Sequence, residues 1–514
     1  MIDDNQPIST GSTPIEPSTL PENPPVTPDS PPPQPASPSQ GEPSVDPPFP
    51  IQTPPSPSDQ PPSSPPPPPL KSPPPSEPEE VIQPLVKRFL PLAIGIGILI
   101  VIVLIITKFI LPAIKKPKEP ETVSLKYWGL WEPESIVSQV INDYRKDHPN
   151  VTIQYVRQSP KDYRERLQSA LAKGDGPDIF RWHNTWLPML KNDLAPVPNS
   201  IYSSTDFGSI FYPIINKDVS FQGKHYGIPL EFDALALYVN EDIFAQNPDV
   251  KVPDTWDNLR QTAFKLKKLD SKGNTKIGGV AMGTTNNVDH FSDILGLMIL
   301  QNGGDPGKPE DKTISSALKF YTLFSSQDKS WSDALPNSTL AFANEQVAMI
   351  IAPSWRALEI KQLNPQLNFE LYPVPQLPGT NIAWATYWIE GVSQKSLSQE
   401  AAFEFLKYLS SKPVLTKMYN LASQSRLFGE PYSRQDMAAS LQEDPFVGAV
   451  LTQAISAQSW PLVSNTFDNG INDKLIKYYE DAVNSYNKLE GEKKIIDNLS
   501  QGVSQVILQY DLSK

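Results

Sequence analysis

The sequence lacks cysteine altogether, and histidine is rare: the 514 residues include only His148, His183, His225 and His290. The absence of cysteine excludes disulfides, thiolate catalysis, thiolate metal ligands and a lipid-modified cysteine as a membrane tether. The four histidines are far apart in the sequence, and none has the spacing of a metal-binding motif. The sequence therefore predicts neither a metal site nor a cofactor.

Basic residues are almost absent from the N-terminal tail, residues 1–84, where Lys71 stands against eleven acidic side chains. The tail also holds 31 of the 58 prolines of the chain. Such a composition has too little apolar surface to offset the entropy of ordering, so we predict a disordered segment with polyproline II character. It serves either as a solvated spacer or as a ligand for aromatic grooves of a partner.

Charge is missing from residues 89–107, FLPLAIGIGILIVIVLIIT. As a helix rising ~1.5 Å per residue, these residues are ~29 Å long, which matches a hydrocarbon core of ~30 Å. We predict one transmembrane helix within residues 85–113 and a short linker over 114–121. Lys87 and Arg88 precede the apolar run and four lysines follow it up to residue 118, which by itself favours a cytoplasmic C-terminal side.

The formal net charge of −13 divides into −10 for residues 1–84, +6 for residues 85–118 and −9 for the rest of the chain. An acidic C-terminal body without a basic patch argues against nucleic-acid binding.

All ten tryptophans follow residue 127. Because a body of about 400 residues exceeds what one core usually holds, we expect two lobes.

Alternating strand and helix patterns predict an α/β fold for the body. Residues 123–127 and 151–155 have the apolar alternation of strands, residues 134–148 and 163–171 have a helical period, and Ile179 begins a third strand. This order is typical of a parallel sheet covered by helices. The region after residue 240 repeats the pattern, with a helix capped by Asp254 that runs to residue 269 and a buried strand at 347–352.

Aromatic and polar side chains follow several of these strands, at the edge where α/β sheets bind ligands. Flat aromatic rings beside carboxylates and amides suit carbohydrate, because the C–H face of a sugar stacks on a ring and its hydroxyls pair with polar groups. Trp256, which opens a helix, is predicted to be structural. The residues predicted to bind the ligand are Trp128, Trp131, Trp182, His183, Asn184, Thr185, Glu231, Asp233, Trp355, Arg356, Trp384, Tyr387 and Trp388.

The pair Glu231 and Asp233 lies two residues apart on one strand face. Paired carboxylates also occur in glycoside hydrolases, so an enzyme acting on carbohydrate is an alternative. Acidic residues in this arrangement more often accept hydrogen bonds, and we predict no catalytic residue.

Four stretches of the body together form a family pattern. They are AKGDGPDIF at 172–180, FQGKHYGIP at 221–229 with LYVN at 237–240, PDTW at 253–256, and FANEQVAMIIAPSW at 342–355. In their order and spacing, over about residues 122–460, they resemble the extracellular solute-binding proteins of ABC sugar importers, the family that includes maltose-binding protein. Val239 departs from the pattern where tyrosine is common, and Glu345 departs where glycine is usual.

The resemblance implies a two-lobe, periplasmic-binding-protein-like α/β fold with the ligand in the cleft between the lobes. The body is then residues 122–514, with a first lobe of about 122–232 and 396–440 and a second lobe of about 234–393 and 445–514. By their positions in the family motifs, Trp182, Asp233 and Trp355 are implied to contact the ligand.

Together these observations predict a non-enzymatic, monomeric receptor that is anchored in the cell membrane by one helix. Its extracellular body captures a sugar or oligosaccharide for the permease subunits of an ABC importer, and its tail lies in the cytoplasm, against the lysine distribution. A sugar-sensing or adhesion receptor that signals through the tail is the alternative from another class of protein.

Overall fold

The computed structural model describes residues 86–110 and 122–512. The chain divides into two units, Met1–Gly97 and Ile98–Lys514. The tail predicted to be disordered, residues 1–84, and the predicted linker, residues 114–121, lie outside the described residues.

The segment predicted to span a membrane lies in helix α1, Val86–Ile105, and in the π-helical turn Ile106–Ile110 that continues it. The described apolar side chains of this helix are exposed, and Leu99 keeps 64% of its surface accessible. Within residues 86–110 and 122–512, none of the helices combines the length and the apolar character that crossing a bilayer requires.

Strands and helices alternate through the body. The strands are β1 Val123–Gly129, β2 Val151–Arg157, β3 Ile179–His183, β4 Ser220–Phe221, β5 Lys224–His225, β6 Leu235–Asn240, β7 Lys268–Leu269, β8 Thr275–Val280, β9 Val347–Pro353, β10 Phe369–Tyr372, β11 Ala383–Trp384, β12 Trp388–Val392 and β13 Ala457–Gln458. The helices after α1 are α2 Glu134–Asp147, α3 Tyr163–Lys173, α4 Leu187–Leu190, α5 Ser204–Ile210, α6 Pro213–Asp218, α7 Glu241–Ala245, α8 Trp256–Leu266, α9 Phe291–Gln301, α10 Lys312–Ser326, α11 Ser338–Ala343, α12 Arg356–Leu363, α13 Gln399–Leu409, α14 Lys412–Ser423, α15 Gly448–Gln453, α16 Ile471–Asn487 and α17 Glu492–Tyr510.

The first lobe is built on a four-stranded sheet with the order β12-β3-β1-β2. Strand β1 is parallel to β2 and to β3, as the β-α-β-α-β pattern predicts. Strand β12 joins the edge of this sheet antiparallel to β3. It lies within the range predicted for the second lobe, so the first lobe takes one of its strands from late in the chain.

The second lobe is built on a five-stranded sheet with the order β10-β6-β9-β8-β7. Only β8 and β9 are parallel, and the other neighbours in this sheet are antiparallel. The prediction that this region repeats the parallel pattern is therefore wrong. Strands β6 and β9 are buried along their whole length, so their sequences are apolar runs that carry no information on strand direction.

The helix predicted from Asp254 to residue 269 begins later and ends earlier. Thr255 caps it, because its side-chain oxygen accepts a hydrogen bond from the backbone N–H of Asn258. The helix ends at Leu266, because residues 268–269 form strand β7. Trp256 is buried and donates its Nε1–H to Gln301 Oε1 at 2.6 Å, in agreement with a structural role.

Glu345 occupies the turn before β9 with a φ of 59°. This left-handed conformation favours glycine, because a Cβ crowds the backbone there. The turn therefore suits the glycine that is usual in the motif, and this chain places a glutamate there.

The chain passes from the first sheet to the second along residues 228–234. Isolated β-bridges pair Ile228 with Glu390 and Ala234 with Ala385, so the outgoing and returning segments run side by side. A third segment joins them where Glu231 pairs with Tyr432. The connection between the lobes is therefore a short set of paired extended segments.

Candidate ligand-binding site

A cavity of about 550 Å³ lies where the strand ends of the two sheets meet the connecting segments. Its size is within the range of ~300–1,000 Å³ typical of small-molecule sites. Eight of the thirteen predicted residues line it: Trp131, His183, Glu231, Asp233, Trp355, Arg356, Tyr387 and Trp388. They come from segments up to about 250 residues apart, and the fold brings them around one space.

The first-lobe wall of the cavity is aromatic. The rings of Trp131 and Trp388 are 5.7 Å apart at an angle of 71°, and both are half-buried. Behind them, Trp388 packs edge-on against His183 and Trp186 at 5.1 and 5.2 Å. This packing fixes the two indoles, so they present a rigid apolar surface to the cavity.

His183 lies deep in this wall and is held in place by hydroxyl groups. Its Nδ1 lies 2.9 Å from Thr185 Oγ1 and its Nε2 lies 3.3 Å from Thr386 Oγ1. Burial lowers the pKa of His183 to about 3, so the imidazole is neutral at neutral pH. It is a hydrogen-bonding group of the wall and not a charge for an anionic ligand.

The second-lobe wall carries Trp355 and Arg356, which follow strand β9. Trp355 keeps 36% of its surface exposed, and the Arg356 guanidinium lies 4.2 Å from the centre of its ring. Arg356 Nε donates to His290 Nε2 at 3.0 Å, so His290 Nδ1 carries the proton and donates to Ser464 Oγ at 2.8 Å. Trp355 therefore forms a partly exposed platform beside a hydrogen-bonded series of side chains, Arg356, His290 and Ser464.

Asp233 fixes the turn that carries this platform. Its Oδ1 accepts the backbone N–H of Ala234 at 2.7 Å and of Ser354 at 3.1 Å, and its Oδ2 accepts Ser354 Oγ at 3.0 Å and the N–H of Trp355 at 3.4 Å. Burial raises the pKa of Asp233 to about 7, against the effect of these bonds. Because the four bonds use the acceptor sites of the carboxylate, Asp233 positions Trp355.

Tyr387 lines the cavity, and the buried carboxylate of Asp218 holds its hydroxyl in place. Its hydroxyl donates to Asp218 Oδ2 at 2.7 Å, and Asn184 Nδ2 donates to the same oxygen at 2.8 Å. Ser459 Oγ donates to Asp218 Oδ1 at 2.5 Å. Burial raises the pKa of Asp218. Asn184 is thus a supporting residue behind Tyr387.

Five of the predicted residues do not line the cavity. Trp182 and Trp384 are fully buried core side chains. Trp182 packs against Gly227 and Gly391, and Trp384 Nε1 donates to Asp293 Oδ1 at 3.1 Å. Both rings pack into the protein interior against glycines, where a Cβ would collide with the indole. The other three are Trp128, which is half-buried, and Asn184 and Thr185, which are buried behind the wall.

Several lining residues were not predicted from the sequence. Pro353 lies at the end of β9, Asp293 in α9, and Leu358, Glu359 and Gln362 in α12. The others come from loops and connecting segments: Pro160, Phe232, His290, Thr386, Arg426, Glu430, Ser464, Asn465 and Phe467. A signal exists only for those adjacent to predicted residues, such as Thr386 beside Tyr387. The contributions from residues 426–467 lie after the last of the four motif stretches, which ends at residue 355.

A buried charge cluster lies below the first-lobe wall. Arg181, which is fully buried on β3, donates from Nη1 to both carboxylate oxygens of Glu132 at 2.7 Å. Its Nε donates to Glu390 Oε1 at 2.8 Å, and the same oxygen accepts the Tyr127 hydroxyl at 2.9 Å. Arg181 thereby joins the loop after β1 to strand β12.

Comparison with known proteins agrees with this architecture. Residues 139–444 match the family model of bacterial extracellular solute-binding proteins. The maltotriose-binding protein of Pyrococcus abyssi is 20% identical over 305 residues, which are 57% of this chain and 64% of that protein. An uncharacterized ABC transporter extracellular-binding protein of Pyrococcus horikoshii is 26% identical over 197 residues, 38% of this chain and 45% of that protein.

Solved structures share the two-lobe fold. The sugar-binding protein MalE of Xanthomonas citri has a TM-score of 0.63 at 18% identity, over 76% of this chain and 98% of that one. An ABC transporter solute-binding protein of Thermotoga lettingae, bound with α-D-tagatose, has a TM-score of 0.59 at 21% identity, over 75% and 100%. Because the family model covers more than half of the sequence, this chain belongs to the bacterial extracellular solute-binding proteins, a family of binding proteins and not of enzymes.

Proposed function

We propose that this protein binds a sugar or oligosaccharide in the cavity between its lobes and delivers it to an ABC importer. The observation that supports this most directly is the placement of Trp131 and Trp388 on one wall and Trp355 on the other. Two aromatic walls can stack on both apolar faces of a sugar ring. One sequence relative is named for maltotriose, and one solved structure with the same fold is bound with α-D-tagatose.

The polar groups between the aromatic walls suit hydroxyl-rich ligands. Thr386 and Asn465 line the cavity with uncharged groups that both donate and accept, and Glu231 and Glu430 add acceptors. A sugar hydroxyl needs one acceptor and one donor, so this mixture satisfies it. An amino acid needs available charges around both of its ionised groups. The arginines that line the cavity, Arg356 and Arg426, are already paired with Glu359 and Glu430, and His183 is neutral.

A thermal-unfolding screen of the full chain in mild detergent tests the proposal. Mono- and oligosaccharides, amino acids and polyamines are added separately, and isothermal titration calorimetry measures affinity for each compound that raises the Tm. A sugar at a hundred times its Kd is expected to stabilise the protein by about 2.7 kcal/mol. Stabilisation by amino acids or polyamines but by no sugar contradicts the proposal.

We further propose that residues 89–107 anchor the body in the cell membrane. Support comes from their nineteen uncharged residues and from the exposed apolar side chains described for this helix. The full chain is expected to stay with the membrane fraction after a carbonate wash, and residues 119–514 alone are expected to be soluble and monomeric. Release of the full chain by the wash, or aggregation of residues 119–514, contradicts this proposal.

The orientation proposed is body outside and tail in the cytoplasm, as capture of an external solute requires. Protease added to intact cells is expected to remove the body and to spare residues 1–84. Detection uses antibodies against each end, and protease added to lysed cells is the control. The opposite pattern would agree with the lysine distribution and would exclude uptake.

A further inference from the structure

Three glutamates from distant parts of the chain converge beside the connection between the lobes. They are Glu132 in the loop after β1, Glu231 in the outgoing segment and Glu430 just before the third connecting segment at Tyr432. Each offers one carboxylate oxygen, and these oxygens all lie within 4.8 Å of one another. Like charges at this separation repel strongly in a buried place, so something must balance them.

The neighbouring cations balance only part of this charge. Arg181 holds Glu132 and Glu390, and Arg426 Nη2 donates to Glu430 Oε1 at 2.5 Å. Four carboxylates therefore share two guanidinium groups. With every group ionised, the cluster carries a net charge of −2.

Glu231 is the member that no guanidinium holds. It is 6% exposed, and its Oε2 has no hydrogen-bond partner among the described residues. An unpartnered buried carboxylate oxygen is costly, so its presence points to a missing ligand.

A small cavity of about 20 Å³ is lined by the three glutamates, by Arg426, which is paired with Glu430, and by Tyr419 and Tyr432. One sphere of the size of a water molecule needs ~10–15 Å³. The space therefore takes a single ion or water and no larger group.

We propose that Glu132, Glu231 and Glu430 bind one Ca²⁺ ion. Ca²⁺ takes oxygen ligands at ~2.3–2.6 Å, so it can bridge oxygens at any separation up to the 4.8 Å limit, and Mg²⁺ at ~2.0–2.1 Å reaches only ~4.2 Å across. Its two positive charges cancel the net charge of the cluster. Since Glu231 and Glu430 also line the ligand cavity, the ion ties the first lobe to the base of that cavity.

The test uses the full chain in detergent after treatment with a chelator, without any sugar, so its outcome is independent of the proposed sugar binding. Calorimetry measures Ca²⁺ binding directly. Tb³⁺ luminescence provides a second readout, because Tyr419 and Tyr432 beside the cavity can sensitise a bound lanthanide. One Ca²⁺ per chain is expected, with a rise in Tm of about 3–5 °C at a hundredfold excess over the Kd.

Three variants locate the ion. Glu231→Gln keeps the size of the side chain and removes the unpartnered charge, so it is expected to weaken Ca²⁺ binding at least a hundredfold while its Tm without Ca²⁺ is equal to or above that of the parent. Glu430→Gln is the second variant and is expected to weaken binding as well. Glu134→Gln is the matched control, because Glu134 is an exposed carboxylate two residues from Glu132.

The proposal fails if the parent protein shows neither binding heat nor Tb³⁺ luminescence. It also fails if Glu231→Gln or Glu430→Gln retains the parent affinity, or if Glu134→Gln loses binding to the same extent. Should Glu231→Gln not fold, Glu430→Gln decides between these outcomes.

Discussion

Arg181→Met is expected to lower the free energy of unfolding by about 3–5 kcal/mol, because it leaves buried carboxylates without their cation. Glu390 has no exposed surface, and Glu132 is only 6% exposed. Methionine keeps the unbranched apolar stem of the arginine side chain and removes the guanidinium, so most of the loss comes from charge and hydrogen bonds. Native domains have total stabilities of ~5–15 kcal/mol, so this single change takes a large share.

Denaturation by urea, followed by tryptophan fluorescence with a chelator present, measures this effect. The double variant Arg181→Met/Glu390→Gln is expected to recover part of the loss, since the amide needs no counter-charge. Lys319→Met is the control: Lys319 Nζ lies 2.7 Å from Glu492 Oε2, as close as Arg181 is to Glu132, but both side chains are about half exposed. It is expected to leave the unfolding midpoint nearly unchanged, and an equal loss in both variants would contradict the prediction.

Trp355→Ala and Trp182→Ala are expected to have opposite effects. Trp355 lines the cavity and is partly exposed, so its removal is expected to weaken ligand binding by about 2–4 kcal/mol and to change the Tm little. Trp182 is fully buried, so its removal is expected to lower the free energy of unfolding by about 3–5 kcal/mol and to spare the affinity of the folded fraction.

Calorimetry with the sugar identified by the screen measures the affinities, and urea denaturation measures the stabilities of both variants. Each variant is the control for the other. Trp355→Phe keeps a smaller aromatic platform and is expected to recover part of the affinity. Early melting of Trp355→Ala together with normal binding would place this residue in the core and the binding site elsewhere.

The sequence predicts the first sheet better than the second for a physical reason. Strands β1 and β2 have one buried face each, so alternation marks them, and the helices between them have a clear apolar period. Strands β6 and β9 are covered on both faces, and an apolar run of this kind occurs in parallel and antiparallel sheets alike. Strand direction there depends on distant connections that local patterns do not contain.

The candidate site is predicted in part, for a similar reason. Aromatic residues at strand ends lie near the ligand edge of a sheet, but the sequence does not say whether a ring turns outward or inward. Trp388 turns to the cavity, whereas Trp182, on the neighbouring strand β3 of the same sheet, packs against Gly227 and Gly391. His290 and Asn465 come from loops whose position depends on the packing of both lobes, so no local pattern could indicate them.

The late origin of strand β12 has a consequence for biosynthesis. Arg181 leaves the ribosome 209 residues before Glu390, the carboxylate that completes its charge cluster and lies on the missing edge of the first sheet. At ~5–20 residues per second, about 10–40 s pass before strand β12 is made. During this time the edge of β3 is unpaired and Arg181 lacks Glu390, one of its two carboxylate partners. The first lobe therefore cannot complete its sheet before strand β12 has been synthesised, so its folding depends on residues made after most of the second sheet.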